Sequence, residues 1–265
     1  MKIHHDLTGD GDSDLAGQAA RREARVRTRM ASITHKFAVV SSKGGVGKSA
    51  VTANLAVALA MQGHKVGILD ADINRPRVAR MLGIPDQTFM LGVGGIVPKL
   101  GPFGIKVVSI NLRRPRDAAP ATWKAATLRN RRTWLGTVEA TALQEFLTDT
   151  LWGELDFLLI DLSPGRGRYP ALRELLPECD GAFVATQPSR AAAPAVTRSI
   201  GQAKRARPLR MIEYMTGYWC ERQGVLHHFF RAKQAQRHRR SACQCWGKYL
   251  STLALPAGAS EGRPS

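Results

Sequence analysis

Between the apolar run Phe37-Ala38-Val39-Val40 and a segment whose Val51, Leu55, Ala56 and Leu59 fall on one side of a helix lies Lys43-Gly44-Gly45-Val46-Gly47-Lys48-Ser49. Few architectures accommodate a strand, a glycine-rich turn and a helix opening on lysine and a hydroxyl in that order. Consecutive backbone N–H groups that must point at phosphate oxygens need conformations a β-carbon obstructs, and the helix N-terminus adds its positive dipole end. The stretch reads as a phosphate-binding loop. Its nucleotide-binding residues are Gly44, Gly45, Val46, Gly47, Lys48, Ser49 and Ala50. Lys48 is placed to neutralise β- and γ-phosphate charge, and the Ser49 hydroxyl to coordinate Mg2+.

The rest of the chain fits a strand-and-helix alternation around that loop. Strands are predicted at Phe37 to Ser41, Lys65 to Asp70, Ile105 to Ile110, Phe157 to Asp161, Gly181 to Ala185 and Leu209 to Met215. Helices are predicted at Lys48 to Met61, Thr137 to Leu151, Tyr169 to Leu176 and Ala191 to Arg205. Strands this apolar, alternating with helices, predict an α/β fold: a mostly parallel twisted sheet with helices on both faces, the three-layer sandwich of a P-loop NTPase. Ligands in such sheets sit at the carboxyl ends of the strands.

Residues 1–34 read as a partly disordered N-terminal tail: an acidic tip, then a marginal helix on which Leu15, Ala19, Val26 and Met30 fall near helical spacing. Residues 35–256 form the P-loop domain, atypical from about residue 220, and 257–265 a disordered tail. Residues 84–104, rich in glycine and proline, read as a mobile connection, and Tyr249 to Leu255 as a last strand.

Two acids follow the second strand in Gly67-Ile68-Leu69-Asp70-Ala71-Asp72, and both emerge near its carboxyl end beside the loop. Asp70 reads either as support for the loop and the magnesium shell or as a helix cap or turn former. The apolar strand Leu155 to Ile160 ends in Asp161, the form of a segment whose carboxylate holds Mg2+ through a water.

Ser42 stands where the common P-loop pattern has its first glycine, and Lys43 precedes the glycine pair. This resembles the deviant Walker A signature of the ParA/MinD group. The resemblance implies that Lys43 reaches a partner subunit's phosphates in an ATP-dependent homodimer, that Asp72 positions the attacking water, and that a backbone N–H near Gly165 senses the γ-phosphate. ATP hydrolysis at a slow rate follows, with Lys43, Lys48 and Asp72 as the catalytic set. Asp70-Ala71-Asp72-Ile73, Met81-Leu82-Gly83, Gly104 to Ser109, Trp152 to Asp156 and Asp161 to Gly165 are similar to the Mrp-type iron–sulfur carrier ATPases over about residues 35–220.

That branch pairs two cysteines after the sixth strand, so that a dimer shares a [4Fe-4S] cluster. This chain reads Trp219-Cys220-Glu221-Arg222-Gln223, with glutamine at the second position, so Cys220 is the one candidate cluster ligand there. Cys243 and Cys245 are either replacement ligands or, in so arginine- and glutamine-rich a stretch, incidental. Glu213-Tyr214-Met215 replaces the branch's Glu-Asn-Met, and Tyr214 can stack on adenine without reproducing the amide's paired hydrogen bonds. Basic Arg231 to Arg240 stands where the branch has a packed helix, with Leu226, Phe229 and Phe230 before it able to dock on the sheet or on a membrane surface. His227, His228 and His238 are not spaced like metal ligands.

Net charge is +18, and the excess sits in residues 75–135 and 190–250. Such blocks suit a solvated basic face, or non-specific DNA or an acidic membrane bound through basic patches; a ParA/MinD-like dimerisation switch is the alternative function. Partners expected from the resemblance are a homodimer mate and apoprotein clients or an intact homologue. No apolar run of about 18 residues is present, so no transmembrane segment is expected. Four unevenly placed cysteines and the absence of a signal-peptide pattern lead to a cytoplasmic expectation.

Overall fold

A computed structural model describes residues 15–41, 43–72, 75–85, 90–109, 142–165, 167–187, 209–220, 223, 225–228 and 250–255. The helix expected at Ala191 to Arg205, the basic Arg231 to Arg240 stretch, Cys243, Cys245, Phe229 and Phe230 lie outside the described residues. So do about half of the basic block 75–135 and most of the block 190–250.

Strand β1 (Ile33–Val40) feeds α2 (Lys48–Met61) through the glycine loop, and β2 (Val66–Ala71) leads to a single turn of helix, α3 (Val78–Met81). There follow β3 (Met90–Gly92), β4 (Gly95–Val97), β5 (Lys99–Leu100), a 3-10 turn at Pro102–Gly104 and β6 (Lys106–Ser109). Residues 142–149 are helical and form α4. The chain then gives β7 (Leu155–Leu162), α5 (Arg168–Leu175), β8 (Gly181–Thr186), β9 (Leu209–Cys220), β10 (Val225–His228) and β11 (Leu250–Leu255), after α1 (Leu15–Met30) at its start.

One sheet runs in the order β10-β9-β8-β1-β7-β2-β6-β5, with β11 also on β9. Its central pairs are all parallel, and antiparallel pairing is confined to β5 on β6 and β10 on β9. Parallel pairing turns the carboxyl ends of β1, β2, β7, β8 and β9 to one side, and the glycine loop sits there.

Both faces of the sheet are covered, which is why its strands read as continuous apolar runs. Ile68, Val107 and Leu159 pack against α2 and α3, whereas Leu69, Val108, Leu158 and Ile160 pack with Leu143, Phe146, Leu147 and Leu172 on the opposite face.

Helix α1 has the expected bounds, and its far end packs into the core. Val26 and Met30, one turn apart, are buried in the same cluster as Leu147 and Trp152. Arg25 Nη2 donates to Asp149 Oδ1 at 2.9 Å, and Arg29 Nη2 to the Gly94 carbonyl at 2.8 Å. Contacts about 65 and 124 residues away in sequence, not local propensity, hold this helix.

β1 starts four residues before its expected beginning, because Thr34, His35 and Lys36 disguise a first half in which Ile33 and Lys36 are buried. Lys36 Nζ bonds the Ile33 carbonyl at 2.6 Å. The connection expected at 84–104 contains the β3–β4 hairpin, turned at Gly94 and Gly95, and the short β5. The glycines that resemble a flexible linker supply the turn.

Candidate nucleotide site

The loop leaves β1 at buried Ser41 and enters α2 through Gly47. Gly45 and Gly47 adopt left-handed φ values of 81° and 86°, a region that costs any residue with a β-carbon. At Gly47 a second restriction applies. A β-carbon there would lie 2.0 Å from Cδ1 and 2.3 Å from Cε1 of Tyr214. The Tyr214 ring, 8% exposed, packs under the loop with Val39, Val46, Val51, Ala185 and Ile212. It therefore supports the loop. Burial pushes the Tyr214 phenol above its ordinary range.

Asp161 organises the start of α2. Lys48 Nζ lies 2.6 Å from its Oδ1, Ser49 Oγ donates to its Oδ2 at 2.7 Å, and Thr52 Oγ1 donates to Oδ1 at 3.1 Å. Asp161 lies inside β7, one residue before its end, and is fully buried. Burial raises its carboxyl above the usual range, opposed by the Lys48 ammonium and the Ser49 and Thr52 hydroxyls.

Asp72 Oδ2 is 3.9 Å from Lys48 Nζ, and its Oδ1 accepts from the Arg75 amide at 3.2 Å and from Ser163 Oγ at 3.4 Å. The phosphate-binding lysine thus lies between an acid from β7 and one from the end of β2.

Asp70 takes the capping role of its two expected ones. Its Oδ2 accepts the Arg77 and Val78 amides at 3.0 and 3.1 Å, which caps α3, and Ser109 Oγ at 3.2 Å. Burial pushes its carboxyl up to about 7, with the Asp161 charge adding to the effect. The two acids face each other as register partners of β2 and β7.

Gly165, at φ 127°, donates its N–H to the Ser41 carbonyl at 3.1 Å. The expected sensing amide is therefore tied to the base of the loop. Lys43, Gly44 and Gly45 are exposed at the loop's outer side. Ala50 is half-buried on α2 and packs against the Tyr214 cluster. Cys220 stands apart at the end of β9, half-buried with a free thiol, opposite Val225 in β10.

The site also holds residues that motif reading passes over. Thr52 follows Ser49 by three residues on the same helix and could have been found by helical spacing. Ser163, Ser109 and Gln187, whose Nε2 reaches the Gly45 carbonyl at 3.3 Å, carry no local signal.

The donor set fits a phosphate-bound divalent cation. Two buried carboxylates, Asp72 and Asp161, flank one buried lysine, and Ser49 and Asp161 offer hard oxygen donors. Among the described residues no three His, Cys, Asp or Glu side chains converge to hold a metal by themselves. The Ser41 hydroxyl at the root of the loop is buried without a hydrogen-bond partner among the described residues.

A lysine and a hydroxyl at a helix start, gathered by an acid from the adjacent parallel strand under a loop of left-handed glycines, is the arrangement of a P-loop nucleotide-binding protein. Within that class, the family model of the NUBPL iron-transfer P-loop NTPases, of the ParA group, matches residues 32–263. The chain belongs to this family. The iron–sulfur cluster carrier protein of Saccharolobus solfataricus is 40% identical over 211 residues, 78% of this chain and 68% of that protein. That of Methanocaldococcus jannaschii is 40% identical over 204 residues, 76% and 67% of the two. The nucleotide-binding protein of Archaeoglobus fulgidus, solved in complex with ADP, superposes with a TM-score of 0.68 at 30% identity, over 89% of this chain and 87% of that one. MinD of Aquifex aeolicus in its complex with MinC gives 0.50 at 17% identity over 83% and 81%, a likeness of fold alone. Among the described residues no helix is long and apolar enough to cross a membrane.

Proposed function

We propose that the chain binds ATP with Mg2+ at this loop, hydrolyses it slowly as a homodimer, and handles iron–sulfur clusters for apoprotein clients through an incomplete cluster site. The observation that carries the reading is the convergence of Lys48, Ser49 and Thr52 on Asp161, with Asp72 at 3.9 Å from the same lysine.

In this reading the amides of Gly44 to Ala50 cradle the phosphates and Lys48 neutralises their charge, moving from Asp161 toward the incoming oxygens. The Ser49 hydroxyl and, through water, Asp161 would hold Mg2+, which would supply charge neutralisation for the phosphates. Asp72, oriented by Ser163, holds the attacking water, and its carboxylate accepts a hydrogen bond from it. Exposed Lys43 is positioned to serve a partner's phosphates. Release of Gly165 N–H from the Ser41 carbonyl would free it for the γ-phosphate, coupling nucleotide state to the loop after β7.

The names of the relatives support the cluster half of the proposal, and Cys220 limits it. One thiolate per chain at this position leaves a symmetric dimer two ligands short, there, of the four a cubane cluster takes.

Two measurements test the proposal. Asp72→Ala should lower ATP turnover by about 100-fold or more while ATP affinity changes little; unchanged turnover rejects the assignment. Anaerobic reconstitution followed by iron and acid-labile sulfide analysis should give well below one cluster per dimer, lost in Cys220→Ala. A full cluster retained in that variant would refute the role of Cys220.

A further inference from the structure

Strand β9 outruns its neighbour. β8 pairs with it only as far as Glu213, yet β9 continues to Cys220, about 23 Å further at the rise of an extended strand. The β9–β10 hairpin therefore projects past the carboxyl ends of the strands, at the pole where the glycine loop exposes Lys43.

Register decides what the hairpin presents. Cys220 pairs with Val225 and Tyr218 with His227. Side chains alternate along a strand, so Cys220, Val225 and His227 share one face. Cys220 and His227 are diagonal neighbours on that face. The Cβ atoms of such a pair lie about 7 Å apart, within the joint reach of a thiolate and an imidazole around one ion. Spacing along the chain hides this pair, and the hairpin assembles it.

The ring of His227 is set for that use. Its Nε2 is 2.8 Å from Gln223 Oε1. An amide oxygen only accepts, so Nε2 carries the proton and Nδ1 the lone pair. Metal-binding histidines are oriented by such an outer hydrogen bond on the second ring nitrogen. Gln223, which stands at the second cysteine position of the related branch, thus serves here to hold a histidine.

A closed site built from these donors needs four of them. Among the described residues no three His, Cys, Asp or Glu side chains converge, so one chain supplies two. A second copy, related by a twofold axis beside the hairpin, supplies the same two. The hairpin is open to that contact: Val225 is 50% exposed beside the half-buried Cys220 and His227. Two thiolates and two imidazoles complete a tetrahedron about a single Zn2+, whereas they leave a cubane two thiolates short at this hairpin.

Building on the homodimer proposed above, we infer that Cys220 Sγ and His227 Nδ1 are metal ligands and that two such pairs hold one tetrahedral Zn2+ across the dimer. Each Cys220 thiol gives its proton to solvent on binding, so the ion meets two thiolates and two neutral imidazoles. The bound ion ties the two hairpins together and favours the dimer by mass action.

The test strips the untagged full chain with a chelator, keeps it reduced, and titrates it with Zn2+ and with Co2+ as a coloured stand-in. Mass in solution is followed by light scattering, with and without Mg-ATP. The expected result is one ion per two chains, the visible absorption of tetrahedral thiolate-bound cobalt, and a dimer whose dissociation constant Zn2+ lowers at least tenfold. Cys220→Ala should abolish the binding, and His227→Ala and Gln223→Ala should weaken it at least tenfold. His227→Cys, which keeps a ligand, should retain the ion with stronger thiolate-to-cobalt absorption. One ion per chain without a change in mass, octahedral cobalt, or binding indifferent to His227→Ala would each overturn the proposal. So would binding that survives Cys220→Ala and is lost when Cys243→Ser and Cys245→Ser are combined. Four irons per dimer with acid-labile sulfide, held equally by the parent and His227→Ala, would return the hairpin to cluster ligation and overturn it too. A chain that dimerises with Mg-ATP but takes up no zinc overturns this proposal and leaves the homodimer standing, whereas a chain monomeric under every condition overturns both.

Discussion

Gly47→Ala strains the loop in two separable ways. A β-carbon at φ 86° carries a conformational cost of about 1–2 kcal/mol. The same carbon would sit 2.0 Å from the Tyr214 ring, far inside van der Waals contact, and a packed aromatic must shift to admit it at about 1–3 kcal/mol. The single variant should therefore lose about 2–5 kcal/mol of stability. Tyr214→Ala alone empties a buried site among Val39, Val51 and Ile212 and should lose about 3 kcal/mol. In the double variant the clash has no partner left, so the losses should fall short of additivity by about 1–3 kcal/mol, the size of the steric part. Urea unfolding of all four proteins without nucleotide, followed by circular dichroism, measures the cycle. Additivity within about 0.5 kcal/mol would refute the claim that the ring and the loop share this space. ATP binding should be lost in both variants that carry Gly47→Ala, because removing the ring leaves the left-handed cost in place.

The buried acids make two further predictions. The Asp70 carboxyl is raised to about 7 from an ordinary 3.8, so between those values the folded chain binds more protons than the unfolded one. Stability contributed there should fall as pH rises from about 4 to about 7 and then level off, by as much as about 4 kcal/mol; urea midpoints across pH should show this slope reduced in Asp70→Asn, and parallel curves would contradict it. Lys48→Met leaves Asp161 buried without its ammonium and should lose about 3–5 kcal/mol in thermal or urea unfolding. Adding Asp161→Asn should recover part of that loss, and a double variant no more stable than Lys48→Met would show that the pair is not coupled.

The glycine loop, its flanking strand and helix, the parallel sheet and the three acids were legible in the sequence because each rests on short-range chemistry. Glycines recur where the backbone must turn left-handed, apolar runs mark strands covered on both faces, and α2 has the predicted bounds Lys48–Met61. The helix Leu15–Met30 was legible too, but not what it packs against, for the opposite reason. α1 is arginine-rich, and only Val26 and Met30 meeting Leu147 and Trp152 across the chain show what it covers. Residues 84–104 were misjudged because turn glycines and linker glycines look alike until Met90 pairs with Val97.

By itself the sequence determined which groups would be available at the carboxyl end of the sheet: a lysine, a serine, glycine amides and Asp70, Asp72 and Asp161. Tertiary structure alone decided how they divide the work. Parallel register sets Asp161 beside the start of α2, where it gathers Lys48, Ser49 and Thr52. It turns Asp70 away to cap α3, and it presses Tyr214 from β9 under Gly47. Residue types follow from local chemistry, but the distances between them depend on strands brought together from more than 100 positions apart, and no local pattern records those.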